Sequence, residues 1–245
     1  MNKIRVTIWH EFFHEHTNDD VAAMYPDGMH ECLAAALQAD DLEIRSAWLM
    51  QDDDHGLSDD VLNATDVMLW WGHALHEQVR DDIAEKVTQR VLDGMGFIAL
   101  HSAHMAKPFC KLMGQPCKLR WRCANEKAIV WNVNPTHPIT QGVPLHFELE
   151  REEMYGEVFQ IPQPDDLLFI TWFAGGNVFR GGCTFTRGLG KIFYFHPGHE
   201  DCPSFHNENV IKVIANGIRW AAPGTLVDLQ GNVFEPMMVG GEADE

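Results

Sequence analysis

Short apolar runs alternate with amphipathic stretches through the first hundred residues. Residues 4–9 (Ile-Arg-Val-Thr-Ile-Trp) read as a strand, and residues 42–49 alternate apolar and polar positions like a second. Residues 67–71 (Val-Met-Leu-Trp-Trp) and 96–100 (Gly-Phe-Ile-Ala-Leu) are unbroken apolar runs, as strands buried on both faces require. Helical stripes lie between them. Met29, Leu33, Ala36 and Leu37 fall at helical spacing, and Asp27 of Tyr25-Pro26-Asp27-Gly28 stands where an N-cap is expected. Ser58 is placed to cap a short helix through Ala64. Val79, Ile83, Val87 and Val91 recur every fourth residue before Gly94 and Gly96 stop the helix. Strands alternating with helices in this way specify a parallel sheet with helices on both faces.

The pattern changes between about 110 and 190. Helical stripes give way to Pro-rich turns and short β-like runs at 147–150, 167–173 and 178–186, with Gly175-Gly176-Asn177 as a hairpin turn. No linker-like stretch sets this region apart, so it reads as additional sheet inserted in the same domain. Residues 191–195 form a last buried strand, and 207–221 a helix with Val210, Ile214, Ile218 and Ala221 on one face. The expected organisation is one α/β domain over residues 1–223 and a C-terminal tail over 224–245.

Composition narrows the function classes. The chain has 245 residues, 45% apolar and 22% charged, ordinary values for a soluble globular protein. Its 18 basic and 36 acidic residues give a net charge of −18, a field that repels phosphate backbones and excludes nucleic acids and anionic membranes as partners. No apolar run approaches the roughly 20 residues of a membrane helix. The N-terminus reads as a strand rather than a signal peptide, so a cytoplasmic location is expected. The cysteines at 32, 110, 117, 123, 183 and 202 form no Cys-x-x-Cys pair and read as small buried hydrophobes. Gly175-Gly176 and Gly181-Gly182 do not open a helix after a strand, so no phosphate loop and no nucleotide cofactor are expected. Trp70, Trp71, Trp121, Trp131 and Trp172 read mostly as core, with one or two near a rim able to stack on a sugar ring.

The 14 histidines change the picture most. His10, His14 and His16 follow the first strand, His73 and His76 the Trp-Trp strand, His101 and His104 the 96–100 strand, and His196 and His199 the last strand. In an open parallel sheet these strand ends share one rim, where ligands bind. Glu11, Glu15, Glu77 and Glu200 belong to the same rim. Imidazoles beside carboxylates suit acid–base chemistry near neutral pH, and equally suit a divalent metal, zinc first. His30, His55, His137, His146 and His206 read as structural. The segment Glu152-Glu153-Met154-Tyr155-Gly156-Glu157 reads as a loop lending a carboxylate to the site.

Several of these stretches carry a resemblance. His14-Glu15-His16-Thr17, Tyr25-Pro-Asp-Gly-Met-His30, His55-Gly56-Leu57, Trp70-Trp-Gly-His73, Leu100-His-Ser-Ala-His104, Glu152-Glu-Met-Tyr-Gly-Glu157, Pro197-Gly-His-Glu200 and Val213-Ile-Ala-Asn-Gly-Ile-Arg-Trp-Ala-Ala222 occur in order. Together they resemble the trehalose-utilisation (ThuA-like) family over nearly the whole chain. That family is similar in fold to class I glutamine amidotransferases. The resemblance therefore implies a flavodoxin-like three-layer α/β/α sandwich. Amidotransferases carry a Cys on the elbow after a central strand and a His–Glu pair after a late one. Here the elbow reads Leu100-His101-Ser102-Ala103 without a Cys, while His199-Glu200 stands where the pair is expected, so the resemblance does not extend to glutaminase activity.

The resemblance implies a role in catabolism of trehalose or related disaccharides, beside a partner oxidoreductase that makes 3-keto sugars. The expected substrate is a small sugar, probed by His-based acid–base or metal-assisted chemistry. The candidate catalytic residues are His101, Ser102, His199, Glu200 and Glu153, with Ser102 on the rim rather than an acylated nucleophile. His14, His73, His104 and Tyr155 are the candidate substrate contacts, and His73, His104 and His199 the candidate metal ligands. A homo-oligomer is compatible with the sequence. The competing reading is a non-enzymatic sugar-binding or scaffolding subunit on a degenerate amidotransferase-like fold.

Overall fold

All five expected parallel strands form, and they lie side by side. The computed structural model describes residues 3–224, and the expected tail from 225 onward lies outside the described residues. The first four strands are β1 (Ile4–His10), β2 (Leu42–Trp48), β3 (Val67–Trp71) and β4 (Gly96–Leu100). The middle of the chain supplies β5 (Arg120–Asn132), β6 (His146–Gly156), β7 (Asp166–Phe173) and β8 (Val178–Arg187), and β9 (Gly190–Phe195) closes the series. The sheet order is β2-β1-β3-β4-β9-β8-β7-β5-β6. The first five of these strands run parallel and the rest pair antiparallel. Every residue of β3 and β4 is buried, which explains their unbroken apolar sequence.

The helices are α1 (Asp19–Met24), α2 (Met29–Ala36), α3 (Asp59–Asn63), α4 (Asp81–Leu92), α5 (Lys107–Met113) and α6 (Glu208–Ala221). Neighbouring residues of β9 show that they form two layers. Phe193 packs against Gly217 of α6, while the ring of Tyr194 lies 5.9 Å from Phe109 of α5. Successive side chains of a strand point to opposite faces, so α5 and α6 cover opposite sides of the sheet. The result is a three-layer α/β/α sandwich. Ser58 caps α3 as expected, its hydroxyl accepting from the Val61 amide. Asp27 does not cap α2. Gly28 takes that position with φ +93°, and the first amide of the helix, that of Met29, is satisfied from a distance by the Glu15 carboxylate at 2.9 Å.

The middle region adds strands to the same sheet, because β8 pairs with β9, and it differs from its expected form in two ways. The thirteen-residue β5 was not foreseen, since its first half (Arg-Trp-Arg-Cys-Ala-Asn) is exposed and carries no alternation. Trp121, Trp131 and Trp172 are 67%, 43% and 37% exposed and are not core, whereas Trp70 and Trp71 are buried, Trp70 stacking on Trp9 at 3.9 Å. The expected hairpin turn at 175–177 forms, with the Phe173 amide bonded to the Asn177 carbonyl.

Gly190 marks a close approach between β9 and the end of α4. A Cβ there would collide with the carbonyl oxygen of Val91, a backbone atom that cannot swing aside. Gly190→Ala is therefore expected to cost about 1–3 kcal/mol. Calorimetry should show a thermal midpoint several degrees lower; an unchanged midpoint would mean that the two backbones separate freely.

Candidate active site

The carboxyl ends of β1, β3, β4 and β9 meet at one rim, and four histidines converge there. The imidazole of His73 lies 5.3 Å from that of His14, 5.4 Å from His199 and 6.4 Å from His101, ring centre to ring centre. His101 and His199 are 5.3 Å apart. Two carboxylates reach into the group, Glu200 from the segment after β9 and Glu153 from β6. The 152–157 segment is thus mostly strand rather than loop. It crosses to the rim because β6 and β5 pair as a long ribbon, with Tyr155 opposite Trp121 and Gly156 opposite Arg120.

The elbow after β4 is occupied by His101, whose φ of +51° is unusual for any residue but Gly. Four polar contacts hold this strained residue and its partners. Nδ1–H of His101 donates to the His196 carbonyl at 2.8 Å, and Nε2–H of His196 donates to the Glu153 carbonyl at 3.0 Å. Nε2 of His101 faces Oε2 of Glu153 at 3.0 Å, and the Tyr155 hydroxyl lies 3.2 Å from the same nitrogen. Because Nδ1 already donates, the His101–Glu153 contact needs one further proton, shared between nitrogen and carboxylate. Burial opposes the charge on Glu153, but His101, His199 and His73 outweigh it and hold its carboxyl below the usual range. Ser102 is buried beside this pair, and its hydroxyl donates to the Gly72 carbonyl at 2.8 Å. His101 opens a short 3₁₀ segment (His101–Met105) in which Ser102 is the second residue, and α5 begins only at Lys107.

The opposite wall is built on carboxylates. Nδ1 of His73 is 2.9–3.0 Å from both oxygens of Glu200, and Nδ1 of His14 is 3.5 Å from Glu200 Oε1. The Glu11 carboxylate accepts the amides of His73, Ala74 and Leu75 at 2.7–3.0 Å, which fixes the turn carrying His73. Nδ1 of His199 is 2.6 Å from Asp201. Burial works against ionisation of Glu11 and Glu200. For Glu11 the His14 contact and the three amides win, and for Glu200 His73, His199 and His14 win, so each falls to about 2. His199 is likewise opposed by burial, but Asp201, Glu200 and Glu153 raise it to about 9. At neutral pH an imidazolium therefore sits among ionised carboxylates, an environment built for positive charge.

Among the described residues, three groups bring ligand atoms within 4.8 Å of one another: His14, His73 and Glu200; His73, Glu153 and His199; and Cys123, His199 and Asp201. The expected trio of His73, His104 and His199 is not among them. Nδ1 of His104 is spent on the Cys117 carbonyl at 2.7 Å, and burial pushes His104 down to about 3. His104 instead lines the crevice beside Glu153 together with His73, Ser102 and Tyr155. His55 is structural as expected, donating to the Leu49 carbonyl and accepting from the Arg80 amide.

Asp201, which orients His199, is the contributor that escaped the sequence reading; its trace there is a carboxylate two residues beyond His199. Three residues that the sequence did bring to the site have positioning roles it did not show: Glu11 holds the turn after β3, Glu152 holds the loop after β9, and His196 links His101 to the backbone of Glu153.

The family model for trehalose utilisation (ThuA) matches residues 5–221. The chain belongs to that family. It is similar in structure to a ThuA-like protein from Bacteroides uniformis, at 15% identity and a TM-score of 0.64 over 89% of this chain and 91% of that one. A ThuA-like protein from Parabacteroides merdae gives 14% and 0.65 over 92% and 93%. PurLQS from Thermotoga maritima gives 14% and 0.54 over 90% and 99%. At such identities the likeness is one of fold. No curated protein matches the chain in sequence. None of the described helices is long and apolar enough to cross a membrane.

The buried histidines set the response to acid. Burial lowers His76 to about 4 and His104 to about 3, and pushes His10 and His196 well below the ordinary value. These groups stay neutral in the fold but take up protons when unfolded, so stability falls as pH drops below about 6.5. His104 alone costs about 2 kcal/mol by pH 5. Glu11 and Glu200 act in the same direction at lower pH, where stability present above their unfolded values is lost as they approach about 2. His199 acts oppositely, its contribution being complete below 6.5 and lost as pH rises through about 9. The thermal midpoint is expected to peak near neutrality and to drop by several degrees at pH 5; a flat profile from pH 7.5 to 5 would contradict the buried neutral histidines.

Proposed function

We propose that this protein is an enzyme of disaccharide catabolism that acts on a 3-keto-disaccharide. The carrying observation is the His101–Glu153 pair, one shared proton held at the strained elbow and aimed into a crevice. A ketone at C3 acidifies the C2–H bond. The Glu153 carboxylate takes that proton while the shared proton stays on Nε2 of His101, and the imidazolium of His199, 3.7 Å from Glu153 Oε2, is a donor for the enolate oxygen. The electron pair then expels the glycosidic oxygen at C1, which leaves with a proton as the free second sugar. Water adds to the resulting enone, so the sum is cleavage of the keto-disaccharide by one water. A partner oxidoreductase would supply the ketone.

The donor set also fits a divalent cation, zinc first, since two imidazoles and a carboxylate are a common zinc environment. His14, His73 and Glu200 form the group that leaves Glu153, His101 and His199 free for proton transfer. Glu11 lies 3.4 Å from Nε2 of His14 and favours a proton there, which turns a free Nδ1 toward Glu200. A cation so held would supply a Lewis acid for the ketone or enolate oxygen.

The test is proton exchange. The protein, with and without added zinc, is incubated with 3-keto-trehalose in D₂O and followed by NMR. Loss of the C2 proton signal with release of glucose is the expected result. Absence of both exchange and cleavage under either condition would overturn the assignment. Metal analysis reads the cation separately: bound zinc should be lost in His73→Ala, and retention there would move the metal elsewhere.

A further inference from the structure

The crevice beside Glu153 is small. Its volume is about 270 Å³, and it is open to solvent on one side. A two-ring substrate with one ring against Glu153 and Tyr155 extends its other ring toward that open side.

The mouth is formed by an aromatic residue left in water. Trp121 is 67% exposed, although it lines the crevice, and it is flanked by Met105, 37% exposed, and Leu119. The β5–β6 ladder fixes its position. Trp121 lies directly opposite Tyr155, and directly opposed residues of an antiparallel pair project from the same face. Tyr155 is 2% exposed and stacks on His101 at 4.7 Å, so it marks the floor beside the reacting pair. Trp121 stands on the same face one strand over, at the lip. A Trp side chain left in water keeps apolar surface unburied, and a ligand with an apolar face would cover part of it. Pyranose rings present such a C–H face, and indole is a matching platform.

We propose that Trp121 is the platform for the second ring of a disaccharide and sets this protein's preference for two-ring over one-ring sugars. The inference rests on the sugar-site reading above and adds the substrate's size to it. The reacting ring sits inward, against Glu153 and Tyr155, and the departing ring lies outward on Trp121. The glycosidic bond then spans the lip, and the second sugar leaves to solvent without displacing the first.

The test is calorimetric binding of trehalose and of methyl α-glucoside, each also as its 3-keto form, to the full chain and to Trp121→Ala and Trp121→Phe. Trp121→Ala is expected to weaken the disaccharide about tenfold, to change the monosaccharide less than about twofold, and Trp121→Phe to recover most of the loss. Equal disaccharide affinity in wild type and Trp121→Ala would overturn the platform and leave the sugar site standing. Equal losses for both sugars would place Trp121 against the first ring and overturn it too. Absence of binding by any of these sugars to the wild-type chain would overturn the sugar-site reading itself, and the platform with it.

Discussion

Glu153→Gln is expected to lower kcat/KM on a keto-disaccharide about 100- to 10,000-fold, the usual contribution of a positioned general base. Gln has nearly the shape of Glu, and its amide can donate to Nε2 of His101, whose Nδ1–H stays on the His196 carbonyl. The hydrogen-bonded pair therefore survives while its capacity to take a proton is lost. The thermal midpoint should move little, by the equivalent of about 1 kcal/mol or less. Deuterium exchange at C2 supplies the discriminating readout, because it reports proton abstraction without requiring cleavage. Loss of exchange together with loss of cleavage places Glu153 at the abstraction step. If exchange persists while cleavage stops, the base is another group and Glu153 serves the departing sugar. Full activity in the Gln variant would remove the pair from the mechanism altogether.

Much of the fold was legible because burial on two faces leaves an unmistakable sequence. The runs at 67–71 and 96–100 match β3 and β4 residue for residue, and the β1, β2 and β9 runs agree to within a residue at either end. Once those strands are parallel, their carboxyl ends share a rim, and His73, His101 and His199 must be neighbours even though 28 and 98 positions separate them along the chain. That step needs only topology.

What failed was whatever the local pattern does not encode. The first half of β5 is exposed on both faces and so shows no period, and its Trp121 looks like any core tryptophan. His104 follows the same strand as His101 but turns its Nδ1 to the Cys117 carbonyl, a choice made by the segment after α5. Asp27 lost the α2 cap because Glu15, fourteen residues from Met29, reaches the amide first. Glu152 and Glu153 are adjacent and chemically identical, yet only the pleat of β6 decides which one faces His101 and which one faces the loop after β9.

That second carboxylate carries the other large effect expected here. Glu152 is fully buried, and four donors converge on its two oxygens: the amides of Gly198 at 2.9 Å, His199 at 3.1 Å and Glu153 at 3.0 Å, and the Ser204 hydroxyl at 2.6 Å. Glu152→Ala strands all four in a dry interior. Such a loss should cost on the order of 3–5 kcal/mol, a large share of the roughly 5–15 kcal/mol that holds a typical domain together. Glu152→Gln is the milder probe, since it keeps one acceptor oxygen and turns an NH₂ against the remaining donors. Its midpoint should still fall, and activity should fall by at least about tenfold at temperatures where the chain is fully folded, because misplacing a catalytic group by about 1 Å is enough to cost that much. The reason is positional: the loop carrying His199 and Glu200 is tied to β6 through the Glu152 side chain, and Glu153 extends from the next residue of the same strand. One buried carboxylate thus sets the distance between the imidazolium and the proposed base. A Gln variant that loses stability but keeps full activity would show that the loop finds its place without this tether, and would reduce Glu152 to a stabilising residue.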